Sequence, residues 1–389
     1  MRGVFTRLHR WVGLTLAGFL AIAGLTGSLI VFDQELDRAL NPELFEVPGS
    51  AARLSPSTLA AHVEAQLPGA HVTLLSLPPR GQSSQLWVVP TGRALGYDQV
   101  FADPANGKVL GKRQWGEAGL SRAQLMPMIY LFHYSLKLPG MWGIFLMGGV
   151  ACLWTIDCFV AFILTLPRGT PFWKKWSLSW TIKPNAGAYR FNFDLHRAGG
   201  LWLWALLLIL ATSGVGLNLP SQVFRPILKS LTTLSPTLAD LPAAKPHPAK
   251  LSFDDALRLA EAQPHTAPIV PQWLARSPGT ITLSYTTASG NGLDGFGLST
   301  LVFDDVSGTL RFRQEAGHGR AADLYAGLQY QLHTGRILGW PGRIAVCVLG
   351  LAVAMLSVTG VVIWAKKRKA HRLTRQRRRL PGRTVTIKI

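Results

Sequence analysis

Four histidines occupy matched positions in two long-range repeats of this 389-residue sequence. Leu8-His9-Arg10 recurs 187 residues later as Leu195-His196-Arg197. A second offset, of 200 residues, relates Tyr130-Leu-Phe-His133 to Tyr330-Gln-Leu-His333. Repeats this far apart are typical of duplicated halves, and in membrane proteins the functional site usually lies where such halves meet. Because neutral imidazole is a common metal ligand, these four histidines are the first candidates for chemistry.

Four apolar segments adjoin the histidines, and each is long enough to cross a bilayer. Residues 11–32, 198–224 and 344–365 contain no charged side chain, and residues 138–167 contain one, Asp157. A membrane-spanning helix needs about 20 apolar residues. The sequence therefore predicts a membrane α-helical protein with four transmembrane helices arranged as two duplicated halves.

The predicted spans divide the chain into nine segments. Transmembrane helices are expected at residues 11–32, 137–167, 198–220 and 341–365. The remaining segments are the N-terminus 1–10, the first outer segment 33–136, the loop 168–197, the second outer segment 221–336 and the tail 366–389. In each outer segment a capped helix, starting at Ser55 or Ser252, precedes alternating strand patterns. We therefore expect two α+β domains, one in each outer segment.

The charge distribution predicts the orientation of these segments. The net charge is +20, yet 18 of the 20 acidic residues lie in the two long connections. The N-terminus, the loop and the tail together hold 20 Lys and Arg and one acid, Asp194. Basic residues close to helix ends favour the cytoplasm, so both termini are expected there. The basic tail is interpreted as binding anionic lipids, and no nucleic acid partner is expected.

This topology pairs the histidines. His9 and His196 then lie at the cytoplasmic ends of their helices, and His133 and His333 lie at the outer ends of theirs. Two imidazoles across a gap between helices suit the axial positions of a b-type haem, so the four histidines predict two haems. The haems would be non-covalent because the sequence has no C-x-x-C-H motif. The alternative is that these are interface histidines bonded to lipid or backbone.

Further residues near the histidines are candidates for holding a porphyrin. Arg10, Arg197 and Arg336, together with Arg343, could bind haem propionates by charge-assisted hydrogen bonds, or could instead extend to the headgroup level. Four repeated glycines could let a porphyrin lie against the backbone or could serve helix packing: Gly13, Gly27, Gly200 and Gly214. Asp157 is expected to form a hydrogen bond within the bundle or to shuttle a proton.

Several motifs resemble the PepSY-associated transmembrane family, and the resemblance covers nearly the whole chain. They are Leu8-His9-Arg10-Trp-Val-Gly, Leu25-Thr26-Gly27, the stretch from Val100 to Gly111, and Leu332-His333. The family includes inner-membrane ferric-siderophore reductases with two haems between four helices. The resemblance implies a multi-pass protein of the bacterial inner membrane with two PepSY-like periplasmic domains and the same haem layout. The second domain departs from the family pattern, because Asp304-Asp-Val-Ser-Gly308 replaces the usual Asp-Pro-x-x-Gly.

The expected function is transfer of electrons through two b-type haems to a periplasmic ferric siderophore or another iron chelate. The cytoplasmic segments contain no Gly-rich phosphate loop, so the electron donor is expected to be a separate protein, a free reduced flavin or a membrane quinol. Two alternatives remain open. One is a non-redox membrane protein that regulates a protease or binds a peptide, and the other is an accessory component of iron-chelate transport.

Overall fold

The computed structural model describes residues 1–49, 52–242, 248–265, 267–287 and 296–379. Its α-helices are α1 (Arg2–Ile30), α2 (Asp33–Leu40), α3 (Pro42–Phe45), α4 (Pro56–Gln66), α5 (Arg122–Ser135), α6 (Trp142–Thr165), α7 (Phe172–Ser177), α8 (Ala188–Trp202), α9 (Trp204–Asn218), α10 (Arg225–Leu231), α11 (Phe253–Glu261), α12 (Ala321–Gly327), α13 (Gln329–Thr334) and α14 (Gly339–Arg379). Its strands are β1 (Ala70–Ser76), β2 (Ser84–Pro90), β3 (Gln99–Ala102), β4 (Val109–Arg113), β5 (Ile269–Ser277), β6 (Thr280–Thr287), β7 (Ser299–Asp304) and β8 (Leu310–Gln314).

Three helical stretches of the described chain are long and apolar enough to cross a membrane: Arg2–Ile30, Trp142–Thr165 and Arg336–Thr374. A fourth candidate is the pair α8 and α9, which is bent by 69°. The sequence predicted one continuous span at 198–220, whereas the helix breaks at Leu203. Two adjacent glycines, Gly199 and Gly200, precede the break, and glycine pairs are common causes of helix kinks. The protein therefore has three candidate spans, or four if the bent pair crosses as one.

Small residues allow the first and last long helices to pack closely. α1 packs along α14 and α6, and α6 also packs on α9. A Cβ atom on Gly24 would collide with the carbonyl oxygen of Gly350. Ser28 Oγ donates to the carbonyl oxygen of Cys347 at 2.8 Å, which links the same two helices. Small residues and interhelical hydrogen bonds are what holds helices together where no hydrophobic effect acts.

One eight-stranded antiparallel sheet takes strands from both long connections, in the order β4-β3-β2-β1-β5-β6-β7-β8. The join is the β1–β5 pair, where Leu74 lies opposite Ala275 and Leu75 opposite Leu274. The sequence predicted an α+β domain in each outer segment, and the structure adds that the two sets of strands form a single sheet. Pairing at the join satisfies main-chain groups that two separate sheets would each leave at an open edge.

Two matching helices also join the halves of the sheet. α4 and α11 pack against each other and against the strands. Ser252 and Asp255 form the capping box predicted from the sequence. Asp254, also in the first turn of α11, accepts hydrogen bonds from Ser55 Oγ at 2.7 Å and from the Ser57 amide at 3.2 Å at the start of α4. Hydrogen bonds thus link the N-termini of α4 and α11, just as they pair β1 with β5.

The turn that departs from the family pattern still forms. Gly107 and Gly308 both adopt positive φ angles, 75° and 72°. Asp304 Oδ1 accepts from the Ser307 amide at 3.0 Å, much as Asp103 Oδ1 accepts from the Ala105 amide at 2.9 Å. The aspartate and the glycine suffice for the turn, since the carboxylate caps the backbone and glycine tolerates the left-handed conformation.

Candidate functional site

Two histidine pairs lie at opposite ends of the helix bundle. We call the end that carries Arg2 and the basic residues of α14 from Lys366 onward the tail end, and the end nearest the sheet the sheet end. At the tail end, His9 on α1 faces His196 on α8, with ring centres 6.2 Å apart. At the sheet end, His133 on α5 faces His333 on α13, with ring centres 6.1 Å apart. The structure therefore brings together the residues that the repeats paired.

The tail-end pair is held by groups on two other helices. His9 Nδ1 lies 3.0 Å from both carboxylate oxygens of Asp157 on α6. His196 Nδ1 lies 3.0 Å from the carbonyl oxygen of Leu356 and 3.0 Å from Thr359 Oγ1 on α14. Because carboxylate and carbonyl oxygens only accept, both Nδ1 atoms carry the proton.

The sheet-end pair is held by two hydroxyls that the 187-residue offset relates. His133 Nδ1 lies 3.0 Å from Thr26 Oγ1, and His333 Nδ1 lies 2.9 Å from Ser213 Oγ. Each hydroxyl donates to the carbonyl oxygen one turn earlier in its own helix, at 2.7 Å and 2.6 Å respectively. The hydroxyl oxygens therefore accept from the imidazoles, so Nδ1 carries the proton here too.

Glycines leave room for histidine rings to pack against the helices. A Cβ atom on Gly27 would lie 2.9 Å from His133 Cε1, and one on Gly360 would lie 3.1 Å from His196 Cε1. Gly214 is less crowded, because its Cβ would lie 3.8 Å from His333 Cε1. Gly13, in contrast, has no neighbour within 4 Å of a built Cβ. For Gly13, Gly27 and Gly214 the sequence predicted porphyrin contact or helix packing, not contact with a histidine ring. Gly360 was not predicted from the sequence.

The geometry fits two imidazoles that bind one iron from opposite sides. A hydrogen bond at Nδ1 fixes the ring and leaves Nε2 as the ligand atom, as is usual at metal sites. A metal–nitrogen bond of roughly 2 Å, with about 1 Å more from the nitrogen to its ring centre, separates two such rings by about 6 Å. The separations of 6.2 and 6.1 Å agree with that value. Each histidine pair could therefore hold a haem iron.

The arginines predicted to hold propionates at the tail end have different surroundings. Arg10 is exposed, and its guanidinium lies 5.2 Å from the ring centre of Trp11. Arg197 donates to Asp194 at 2.8 Å and to the carbonyl oxygen of Leu178 at 2.7 Å. Its Nε is nevertheless buried without a hydrogen-bond partner among the described residues. Arg197 thus retains a buried donor beside the histidine that precedes it.

At the sheet end, Arg336 is buried and belongs to a polar cluster. Its guanidinium lies 3.6 Å from Asp33 and is hydrogen-bonded to Tyr330, which is in turn hydrogen-bonded to Tyr130. Burial raises the pKa of both tyrosines. Each tyrosine lies three residues before a paired histidine. The Tyr-x-x-His repeat is visible in the sequence, but the repeat alone does not indicate a role for the tyrosines.

Arg343, also predicted as a possible propionate partner, instead links α14 to the segment at the end of α1. It donates to both carboxylate oxygens of Glu35, at 2.7 and 2.6 Å, and to the carbonyl oxygen of Val31. Its guanidinium also lies 5.0 Å from the ring centre of Phe32 and 4.7 Å from that of Trp340. Burial opposes ionisation of Glu35, but the hydrogen bonds from Arg343 hold its pKa below the ordinary value. Arg343 therefore serves the contact between α1 and α14.

The chain matches a known protein family. A family model for the PepSY-associated TM region matches residues 6–367. The chain belongs to this family. The match includes all four paired histidines, the bundle and the shared sheet, so the PepSY-associated TM assignment covers the site as well as the fold. It confirms a membrane protein with several candidate spans. The comparison with curated proteins gives no match.

Proposed function

We propose that this PepSY-associated TM protein is a di-haem b electron-transfer protein that reduces a ferric siderophore or a similar iron chelate. The observation that carries the proposal is the pair of histidine sites, each with ring centres about 6 Å apart and every Nδ1 engaged. When bound, haem supplies one-electron exchange between Fe(III) and Fe(II). His9 and His196 would hold one haem, and His133 and His333 the other.

The histidines and arginines of the chain would orient the two haems and set the distance between them. His9 and Thr26, which mark the two layers on α1, are 17 residues apart in sequence. At 1.5 Å per residue this separates the layers by about 25 Å, close to the thickness of the hydrocarbon core. Arg10, Arg197 and Arg336 are the proposed partners of the propionates, with Arg197 Nε as an available donor.

We place the tail end in the cytoplasm of a bacterium and the sheet in the periplasm, because basic residues concentrate at the tail end. Electrons would enter there from a reduced flavin, a quinol or a partner protein. The basic tail would bind anionic lipids of the inner membrane. A duplication of the two halves would explain why each layer takes one histidine from each half of the chain.

The acceptor would bind in a cleft beside the sheet-end pair. The cleft has a volume of about 370 Å³, and Phe296, Glu315, His318 and Tyr330 are among its lining residues. Tyr330 lies one helical turn before His333, so the cleft adjoins the proposed haem. Reduction to Fe(II) would weaken the hold of hard oxygen ligands on the iron and so release it.

Purified protein expressed with a haem supply is expected to contain close to two b-type haems per chain. The two non-covalent bis-histidine sites require this stoichiometry, and pyridine haemochrome analysis measures it. Protein that folds and carries no haem would contradict the proposal. That result would favour the non-redox alternatives, which are regulation of a protease, binding of a peptide or an accessory role in iron-chelate transport.

Gly27→Val is expected to lower the haem content from two to about one without touching a ligand. The added side chain would push the His133 ring from its place, because even a Cβ would lie 2.9 Å from His133 Cε1. Gly18→Val on the same helix is the matched control, since nothing lies within 4 Å of its Cβ. Equal haem contents in the two variants would argue against this role of Gly27.

A further inference from the structure

The groups that hold the four imidazoles differ in charge. Three histidines are held by neutral oxygens, which belong to Thr26, Ser213, and Leu356 with Thr359. Only His9, among the four, bonds to a carboxylate. That carboxylate, Asp157, is 8 % exposed and directs both oxygens to His9 Nδ1.

The matching position in the second repeat carries no charge. The 200-residue offset places Ser357 where the first half has Asp157, and Ser357 Oγ donates to the Val353 carbonyl oxygen of its own helix. Asp157 is also the only charged residue in the apolar sequence 138–167. A carboxylate in such a helix is costly unless it is paired. Its partner is the His9 imidazole, 3.0 Å away.

A carboxylate and a hydroxyl affect a ligated imidazole differently. A carboxylate that accepts the Nδ1–H bond makes the imidazole a more basic, more electron-donating ligand. Such a ligand stabilises Fe(III) relative to Fe(II) and lowers the reduction potential of the iron. The buried negative charge acts in the same direction, because it favours the more positive oxidation state.

We propose that Asp157 is a positioning residue that holds the tail-end haem at a lower reduction potential than the sheet-end haem. This inference rests on the proposed di-haem function. His9 and His196 would hold the haem that gives up one electron, from Fe(II) to Fe(III), and His133 and His333 would hold the haem that takes it up, from Fe(III) to Fe(II). A reduced flavin or quinol would supply the next electron at the tail end. The asymmetry sets the direction of flow towards the sheet end.

Redox titration of the haem-loaded protein, followed by visible absorption and electron paramagnetic resonance, tests the proposal. In the unchanged protein the tail-end haem is expected to titrate at the lower potential. Asp157→Asn should raise its Fe(II):Fe(III) ratio at a fixed applied potential about tenfold, which is ~59 mV for one electron. The sheet-end haem should not shift. Repeating the pair of measurements in a His133→Ala background, where only the tail-end haem is expected, assigns the signals.

Two further variants separate the effect of charge from that of a lost hydrogen bond. Asp157→Glu keeps the charge. The Fe(II):Fe(III) ratio of its tail-end haem at the same applied potential should stay within about threefold of that in the unchanged protein. Thr359→Val removes a neutral partner of the other tail-end histidine, which keeps the Leu356 carbonyl, and should change the ratio less than about twofold. The inference is overturned if Asp157→Asn binds two haems and the reduction potential of its tail-end haem is unchanged. It is also overturned if the tail-end haem of the unchanged protein has a higher potential than the sheet-end haem. A protein without haem would instead refute the proposed function.

Discussion

Replacing either histidine of one pair by alanine is expected to remove the same haem and to leave the other. His9→Ala and His196→Ala should both lose the tail-end haem, because each pair is proposed to share one iron. His133→Ala and His333→Ala should both lose the sheet-end haem. Haem content should fall from two to about one per chain in every case, as measured by pyridine haemochrome analysis and by the loss of one electron paramagnetic resonance signal.

His71→Ala is the matched control for these four variants. His71 lies in β1, is exposed, and its Nδ1 lies 3.0 Å from a carboxylate oxygen of Glu64. This variant should keep two haems. If His9→Ala and His133→Ala removed one and the same haem, the pairing would be wrong. If all four variants kept two haems, the histidines would not be the ligands.

Directional transfer of electrons across a bilayer is the second large effect that we expect. In oriented proteoliposomes, a membrane-impermeant reductant on the tail side should produce Fe(II) from a ferric chelate on the sheet side. His133→Ala should reduce this flux to the background of empty vesicles, because the electron then has no site near the sheet-end surface. The tail-end haem of this variant should still become reduced.

A ferrous chelator on the sheet side measures the flux, and an entrapped dye checks that the vesicles are intact. His71→Ala again serves as the control and should transport electrons at the unchanged rate. Flux in His133→Ala that matches the unchanged protein, in intact vesicles, would exclude a route through the sheet-end pair. Flux from the sheet side to the tail side only would contradict the proposed direction.

The membrane-spanning segments were predictable because a bilayer imposes a local rule. About 20 consecutive apolar residues are needed to cross it, and this can be read from composition alone. Trp142–Thr165 lies within its predicted span, whereas Arg2–Ile30 begins nine residues before the predicted start at residue 11. The last helical stretch, Arg336–Thr374, extends beyond both predicted ends. The capped helices at Ser55 and Ser252 were predictable for the same reason, since a cap depends on neighbours within four residues.

The candidate site could be predicted in part. The repeats paired His9 with His196 and His133 with His333, and the structure brings these rings to about 6 Å. The repeats did not reveal that Asp157 holds His9. That contact joins residues 148 apart in sequence, and it depends on which faces of α1 and α6 meet.

By itself, the sequence determined the apolar spans, the capped helices and the histidine pairs, because each follows from local composition or from an internal repeat. Only the tertiary structure decided that the strands of both long connections form one sheet through β1 and β5. It also decided that the helix breaks at Leu203 and that Arg343 bonds to Glu35 rather than remaining available at the sheet end. The shared sheet and the Arg343 contact depend on packing between elements that are far apart in the chain, which has no local signature. Gly199 and Gly200 permit a break near Leu203 but do not by themselves impose one.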